Sequence, residues 1–127
     1  MKVPPPVAAL LGLELVSSAA GEAVMALDAD EQHANPMGFL QGGVICALAD
    51  GAMGFAYATT LEEGESFTTV EMKANFLRPF ATGRLLATGR VLSRGRRLGL
   101  TEAHVRDVEG RLIAHATSTC MTLRRSE

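Results

Sequence analysis

The chain has 127 residues, 47% of them hydrophobic, and a formal net charge of −2 at pH 7. Such a chain is long enough to bury a core without disulfides or metals, and its apolar content excludes intrinsic disorder. The small net charge argues against a general nucleic-acid binder. Two cysteines, Cys46 and Cys120, fit neither a disulfide framework nor a zinc motif and favour a reducing cytoplasm. We therefore expect a single domain over residues 1–127.

The first forty residues predict two short strands followed by a loop. Residues 1–6 contain three consecutive prolines where an export signal needs an apolar helix, so we expect no such signal. Apolar residues at 13–16 and 23–27 predict two strands joined by a turn. Residues 28–40 are polar and are interrupted by a proline and a glycine, which predicts a loop.

The run from residue 41 to residue 60 is uncharged except for one carboxylate, Asp50. The run is about long enough to cross a bilayer, for which about 20 apolar residues are needed. However, it contains four glycines and a central acid, and no cluster of Lys or Arg flanks it. A helix over 42–59 that is buried on all sides inside a globular protein explains the run better.

The remaining residues predict four long strands at 67–77, 84–92, 98–108 and 111–123, separated by turns. Polar and apolar residues alternate between 98 and 108, which indicates a sheet with one face in water. Strands that follow one another in this way favour a single antiparallel sheet. Because the helix has no polar face, that sheet must wrap it. The predicted fold class is therefore α+β, with a curled antiparallel sheet around a long central helix.

Gly42 and Asp50 are the first candidates for chemistry. The amides of Gly42 and Gly43 at the helix start have no intrahelical partner and can hold an oxygen that becomes negative during acyl transfer. A tight turn that needs small residues is an equal alternative. Asp50 follows Gly42 by eight residues, which is about 12 Å along a helix. If the two act together, Asp50 must come from a second chain whose helix runs antiparallel across a two-fold axis. Otherwise Asp50 is a structural acid bonded to a nearby Ser or Thr.

Several other polar residues have two interpretations each. Asn35 could orient a water or a substrate carbonyl, or could form a local Asn-Pro turn with its own side chain. Gln41 could cap the helix or face a ligand, with a solvated loop residue as the default interpretation. Four arginines in turns could solubilise the chain or bind a phosphorylated ligand; they are Arg78, Arg94, Arg96 and Arg97.

The remaining reactive residue types predict no chemistry. The three histidines lack metal-ligand spacing, and we expect His104 and His115 to be exposed on the surface of strands. Cys46 is expected to be an unreactive core residue, because an uncharged helix interior raises the pKa of a thiol. The sequence predicts no metal site.

Three segments together resemble a known family. They are Asn35-Pro36-Met37-Gly38-Phe39-Leu40-Gln41-Gly42-Gly43, Leu48-Ala49-Asp50 and Phe76-Leu77-Arg78-Pro79. The pattern resembles the hot-dog-fold acyl-CoA thioesterases of the phenylacetic-acid-degradation (PaaI-like) group, over residues 11–123. The resemblance implies hydrolysis of aryl or short- to medium-chain acyl-CoA to the free acid and CoA. It also implies no cofactor, no nucleic-acid or membrane partner, and a homodimer as the minimal active unit within a homotetramer.

The resemblance also implies roles for individual residues. Asn35 helps to place the thioester or the attacking water, the Gly42 amide polarises the thioester carbonyl, and Asp50 of the partner subunit is general base or nucleophile. Thr69 or Thr68, early in the strand after the helix, supports the site. Gln41 replaces the histidine of many members and cannot transfer a proton. The CoA phosphates are expected to meet basic residues near strand ends, namely Arg78, Arg94, Arg96 and Arg97.

Two other functions are compatible with the sequence. A non-catalytic acyl-CoA binding or regulatory module on the same fold would bind the ligand without turnover. An acyl-thioester hydratase or dehydratase would pair a histidine with an acid, and His33 is the histidine nearest to the candidate residues. The identity of the acyl group stays open, because Phe39, Leu40, Met53, Phe55 and Tyr57 suit an aryl, medium-chain or branched group equally.

Overall fold

A computed structural model describes residues 4–124. In chain order the elements are α1 (Pro6–Leu11), β1 (Leu13–Ala19), β2 (Glu22–Ala29), a 3₁₀ turn (Glu31–His33), α2 (Gly42–Ala58), β3 (Glu65–Phe76), β4 (Gly83–Arg94), β5 (Leu98–Asp107) and β6 (Leu112–Arg124). The long helix and the four long strands after it lie where the sequence predicts them, with ends that differ by a few residues.

The six strands form one antiparallel sheet in the order β1-β2-β4-β5-β6-β3. The sheet curls around α2, which packs mainly against β2, β4 and β5. Strands β1 and β3 are the two edges. The arrangement confirms the predicted α+β fold, and it leaves the twelve-residue strand β3 unpaired along one side within the described chain.

The core lies between α2 and the inner face of the sheet. Alternate residues of β4 and β5 point toward the helix and are fully buried, as Leu85, Ala87 and Val105 show. The helix approaches β4 so closely that a Cβ added at Gly89 would lie 2.5 Å from the backbone carbonyl of Ala52. A glycine at this position is therefore what permits the close packing.

The two short strands predicted at 13–16 and 23–27 lie within β1 and β2, but two short helical segments in the first forty residues were not predicted. The helix α1 begins with Pro6 at its first position and ends at Leu11, followed by Gly12 in the left-handed conformation (φ 80°). Proline at the start and glycine after the end are favourable helix boundaries. The 3₁₀ turn is stabilised by a reciprocal capping arrangement between Asp30 and His33.

The expectation that α2 is buried on all sides is wrong for the single chain. A stripe along the helix remains half-exposed or exposed and is not covered by the sheet. We call it the open stripe; it consists of Gly43, Cys46, Ala47, Asp50, Gly51, Phe55 and Ala58. Asp50 is its only charged residue. Between residues 4 and 124, no helix combines the length and apolar character needed to cross a bilayer.

Candidate active site

Asp50 lies in the open stripe at the middle of α2, where it is half-buried. The hydroxyl of Thr69 on β3 donates a hydrogen bond of 3.1 Å to Oδ1 of Asp50. Thr68 points to the opposite face of β3 and is exposed. Of the two threonines that the resemblance suggested, Thr69 is therefore the one in contact with the acid.

A cleft of about 370 Å³ opens beside Asp50 and Thr69. Apart from these two polar residues its walls are largely apolar and include Phe55 of α2, Phe67 of β3 and Met25 of β2. We call it the Asp50 cleft. Residues of α1 also line it, and they were not expected at the site because the helix that carries them was not predicted.

A second cleft, of about 360 Å³, lies at the start of α2 and is called the Gly42 cleft. Gly42 is the first helical residue, after Gln41 at the N-cap position. The side chain of Gln41 is exposed and makes no capping hydrogen bond, whereas its backbone N–H donates to the carbonyl of His33 over 2.9 Å. A Cβ at Gly42 would lie 3.2 Å from Cζ of Phe76, whereas a Cβ at Gly43 would meet nothing within 4 Å.

Asn35 lines the Gly42 cleft and also forms the local turn that the sequence allowed. Its side-chain oxygen accepts hydrogen bonds from the backbone N–H of Met37 (2.9 Å) and of Phe39 (3.1 Å). Both neighbours are donors, so the atom that faces them must be the oxygen. What Asn35 can offer to a ligand is consequently its Nδ2 amide, which is a hydrogen-bond donor.

Gly42 and Asp50 do not share a cleft within one chain. The Gly42 cleft brings together Asn35, Gly42 and Arg78, and the Asp50 cleft brings together Asp50 and Thr69. Among residues that could contact an acyl group, Phe39 and Leu40 line the Gly42 cleft, and Phe55 lines the Asp50 cleft. Met53 and Tyr57 are completely buried in the core and line neither.

The four arginines are in different situations. Arg78 is exposed at the rim of the Gly42 cleft, and Arg96 and Arg97 are exposed in the turn between β4 and β5. Arg94 is mostly engaged within the chain, because Nε donates to Thr60 over 2.9 Å and the guanidinium lies 4.9 Å from the centre of the Tyr57 ring. This turn lies at the C-terminal end of α2, far from Arg78 of the same chain.

The cysteines and His33 do not offer a nucleophile or a proton carrier. Partial burial, together with the nearby charge of Asp50, raises the pKa of the Cys46 thiol as the sequence predicts, but Cys46 lies in the open stripe and not in the core as expected. Burial likewise raises the pKa of Cys120. His33 is buried: Nε2 donates to the carbonyl of Leu11 over 2.8 Å, and Nδ1 accepts from the backbone N–H of Asp30 over 3.1 Å. Both ring nitrogens of His33 therefore hold the fold together, which argues against a histidine-dependent hydratase.

The expectation that His104 and His115 are exposed surface residues is wrong. They are half-buried neighbours on β5 and β6 and share the carboxylate of Glu102. The cluster lies on the outer face of the sheet, opposite α2, and therefore outside both clefts.

The sequence model of the thioesterase superfamily matches residues 37–114, which is more than half of the chain and includes Gly42, Asp50 and Thr69. The chain belongs to the thioesterase superfamily. It is a thioester hydrolase, as the sequence predicts. Its fold is the hot-dog fold of the PaaI-like group.

Individual relatives are consistent with this family. A thioesterase from Haemophilus influenzae has a solved structure that superposes with a TM-score of 0.91 at 26% identity, covering 98% of this chain and 87% of that one. A variant of phenylacetic acid degradation protein PaaI from Thermus thermophilus superposes with a TM-score of 0.86 at 30% identity, covering 92% and 98%. The thioesterase described here is also 37% identical over 67 residues to 1,4-dihydroxy-2-naphthoyl-CoA hydrolase of Listeria monocytogenes, over 53% of this chain. That match spans about half of the relative's length (54%).

Proposed function

We propose that this thioesterase hydrolyses acyl-CoA thioesters at sites shared by two antiparallel subunits. The observation that carries the proposal is the division of the candidate residues between two clefts of one chain. A single chain holds an acid with its threonine in one cleft, and a helix start with an amide side chain in the other. Each half lacks what the other supplies, and about 12 Å of helix separates Asp50 from its own Gly42.

The Asp50 half supplies the base or the nucleophile. The Thr69 hydroxyl occupies one lone-pair direction of Oδ1 and fixes the carboxylate of Asp50, which lines the cleft. A carboxylate held in this way can take a proton from water as water attacks the thioester carbonyl, a role that typically contributes about 10²–10⁴-fold. Alternatively it attacks the carbonyl itself and forms an anhydride that water then opens. CoA leaves as the thiolate in both routes.

The Gly42 half supplies the oxyanion contacts. The amide of the first helical residue has no intrahelical partner and lies at the positive end of the helix dipole. The Nδ2 amide of Asn35 is a second donor on the same cleft, because its oxygen is held in the turn. Two donors that converge on the thioester oxygen stabilise the negative charge that develops there. The structure thus favours the carbonyl-orienting role for Asn35 over that of a base.

Two exposed features support the homodimer. The open stripe of α2 has small or apolar residues and a single charge, and the sheet leaves it uncovered. Strand β3 presents an unpaired edge beside that stripe, and such an edge readily pairs with another strand. An antiparallel partner helix over the open stripe would bring Asp50 of one subunit beside Gly42 of the other. A further doubling to a homotetramer is part of the proposal.

The same arrangement gives each shared site basic residues from both subunits. Arg78 lies on the Gly42 cleft, and the turn with Arg96 and Arg97 lies past the C-terminal end of α2. When the helices are antiparallel, this turn extends toward the end of the partner that carries Arg78. We propose that these exposed arginines bind the CoA phosphates, and that Arg94 mainly positions their turn. The apolar walls of the Asp50 cleft suit an aryl or short- to medium-chain acyl group.

Replacement of Asp50 by Asn tests the proposal. Acyl-CoA hydrolysis, followed by release of the free CoA thiol, should fall by at least about 10²-fold. The elution volume in size-exclusion chromatography should not change, because Asn has nearly the same side-chain volume as Asp and keeps one oxygen that can accept the hydrogen bond from Thr69. Turnover that is unchanged in Asp50→Asn would contradict the proposal. Wild-type protein that is stabilised by acyl-CoA but hydrolyses none of a panel of aryl and alkyl thioesters would identify a binding module instead.

A further inference from the structure

We propose that Glu102, His104 and His115 form a binding site for a borderline divalent transition-metal ion such as Zn²⁺ or Ni²⁺ on the outer face of the sheet. The three side chains are separated from the thioester site by the thickness of the sheet. The site is independent of the proposed hydrolysis, because none of its residues lines either cleft.

The strand register brings the three residues together. His104 of β5 lies directly opposite His115 of β6, and Glu102 is two residues before His104, so all three point to the same face. The two imidazole rings lie 4.9 Å apart, centre to centre. Glu102 is mostly covered, with 15% of its side chain exposed, whereas the histidines are about one-third exposed.

The distances suit an ion. Oε1 of Glu102 lies 3.0 Å from Nε2 of His115 and 3.4 Å from Nε2 of His104, and the three donor atoms lie within 4.8 Å of one another. Donors that bind zinc tetrahedrally at about 2.0–2.1 Å lie about 3.3 Å from each other. An ion can therefore bind with small side-chain movements, once each neutral imidazole carries its proton on Nδ1 instead of Nε2.

The donor set defines the class of ion. Two imidazoles and one carboxylate suit Zn²⁺, Ni²⁺ and Cu²⁺, whereas Mg²⁺ and Ca²⁺ prefer oxygen ligands. Three protein ligands on an outer face leave further coordination positions for water or for a group from another molecule. Such an ion would cross-link β5 and β6 and would take no part in the reaction at Asp50.

The positive charge of Arg90 on β4 opposes the binding of a cation, because its Nε lies 3.5 Å from Oε2 of Glu102. Its side chain is 57% exposed, so it can turn away into solvent when an ion binds. The next basic residue on this face, Arg106, is directed to the carbonyl of Gly110 over 3.2 Å. Replacing Arg90 with an uncharged residue should therefore strengthen binding of a cation, whereas replacing a ligand should remove it.

Equilibrium dialysis of the full chain against low-micromolar ZnCl₂, followed by elemental analysis, tests the site. Wild-type protein should retain one zinc ion per chain, Glu102→Gln and His104→Gln should retain none, and Arg90→Gln should bind at least as tightly as wild type. Zinc should also raise the melting temperature of wild type and not that of Glu102→Gln. Failure of wild type to bind zinc or nickel, or undiminished binding in both ligand variants, would overturn the proposal.

The thioesterase reaction separates this inference from the proposed function. Hydrolysis of acyl-CoA by Glu102→Gln, and by wild type after treatment with EDTA, should equal that of untreated wild type. Loss of hydrolysis with EDTA, restored by zinc, would contradict the assignment of the ion to the outer face. Conversely, the Asp50→Asn variant should lose hydrolysis but still bind zinc as wild type does.

Discussion

The amide of Gly42 can be removed while the helix start is kept, by the substitution Gly42→Pro. Proline is favourable at the first helical position, because the N–H that it lacks has no intrahelical partner there. The preceding residue, Gln41, has φ −62° and ψ 132°, which is the extended conformation preferred before proline. The substitution therefore removes the proposed oxyanion donor and little else from the backbone.

The side-chain cost of this change can be measured separately. Any Cβ at position 42 lies 3.2 Å from Cζ of Phe76, so that ring must move by a few tenths of an ångström. Phe76 is 52% exposed and has room to do so. Gly42→Ala adds the same Cβ and keeps the N–H, which makes it the matched control. Removal of one oxyanion donor typically lowers kcat by about 10²–10³-fold, or about 2.7–4 kcal/mol.

The two variants are compared by release of free CoA thiol from a saturating acyl-CoA substrate. We expect Gly42→Ala to keep most of the wild-type kcat and Gly42→Pro to fall at least about 10²-fold below it. Circular dichroism and size-exclusion chromatography should show the same helix content and the same assembly for both. If kcat of a correctly assembled Gly42→Pro variant stayed within about threefold of Gly42→Ala, the amide would not be the oxyanion contact.

Three further predictions concern the acid, the dimer and the core. Thr69→Val should lower kcat by about tenfold or more, because a hydrogen bond to a charged group is worth about 1.5–3 kcal/mol. Thr69→Ser keeps the hydroxyl and should have a kcat near that of wild type; equal kcat values for the Val and Ser variants would show that the hydroxyl of Thr69 is dispensable. Cys46 lies midway between Gly42 and Asp50, so the antiparallel register places it opposite the partner's Cys46, and a short bis-maleimide should cross-link the two subunits. Cys46→Ser should abolish the cross-linked product because Cys120 is fully buried, and a cross-link that persists in this variant would refute the register. Gly89→Ala should lower the free energy of unfolding in urea by about 1–3 kcal/mol, because the added Cβ meets the backbone of Ala52; a stability equal to that of wild type would contradict the close packing of α2 on β4.

The fold follows from the sequence wherever hydrophobic patterns are long. The uncharged run predicts α2, and the alternation at 98–108 predicts β5 nearly to the residue. The six-residue helix α1 is too short to show a helical hydrophobic pattern, although Pro6 at the first position and Gly12 after the end are recognisable boundaries. The open stripe was missed because its residues are small and apolar like the buried ones. A partner, not the sheet, is the cover that this composition suits.

The candidate site was partly predictable for a geometric reason. The rise of a helix separates Asp50 from Gly42 without any knowledge of the sheet, and the structure places them in different clefts. Choosing Thr69 over Thr68 requires knowing which side chains of β3 face α2, and a register shift of one residue would reverse that assignment. The cluster of Glu102, His104 and His115 could not be predicted, because it depends on the register between β5 and β6 and on the irregularity at Val105.

Subunit complementation tests the shared site most directly. Asp50→Asn and Gly42→Pro chains, each inactive alone, are co-expressed with different affinity tags, and the doubly tagged oligomers are isolated and assayed. In an antiparallel homodimer, one of the two sites of each mixed dimer carries both substitutions and the other carries neither. Random pairing should therefore restore about a quarter of the wild-type activity per chain before purification. After purification through both tags the value should be about half if the isolated oligomer is a dimer, and about two sevenths if it is a dimer of dimers. No recovery in mixed dimers that are shown to be assembled would place Asp50 and Gly42 in the same chain's site and would contradict the shared site.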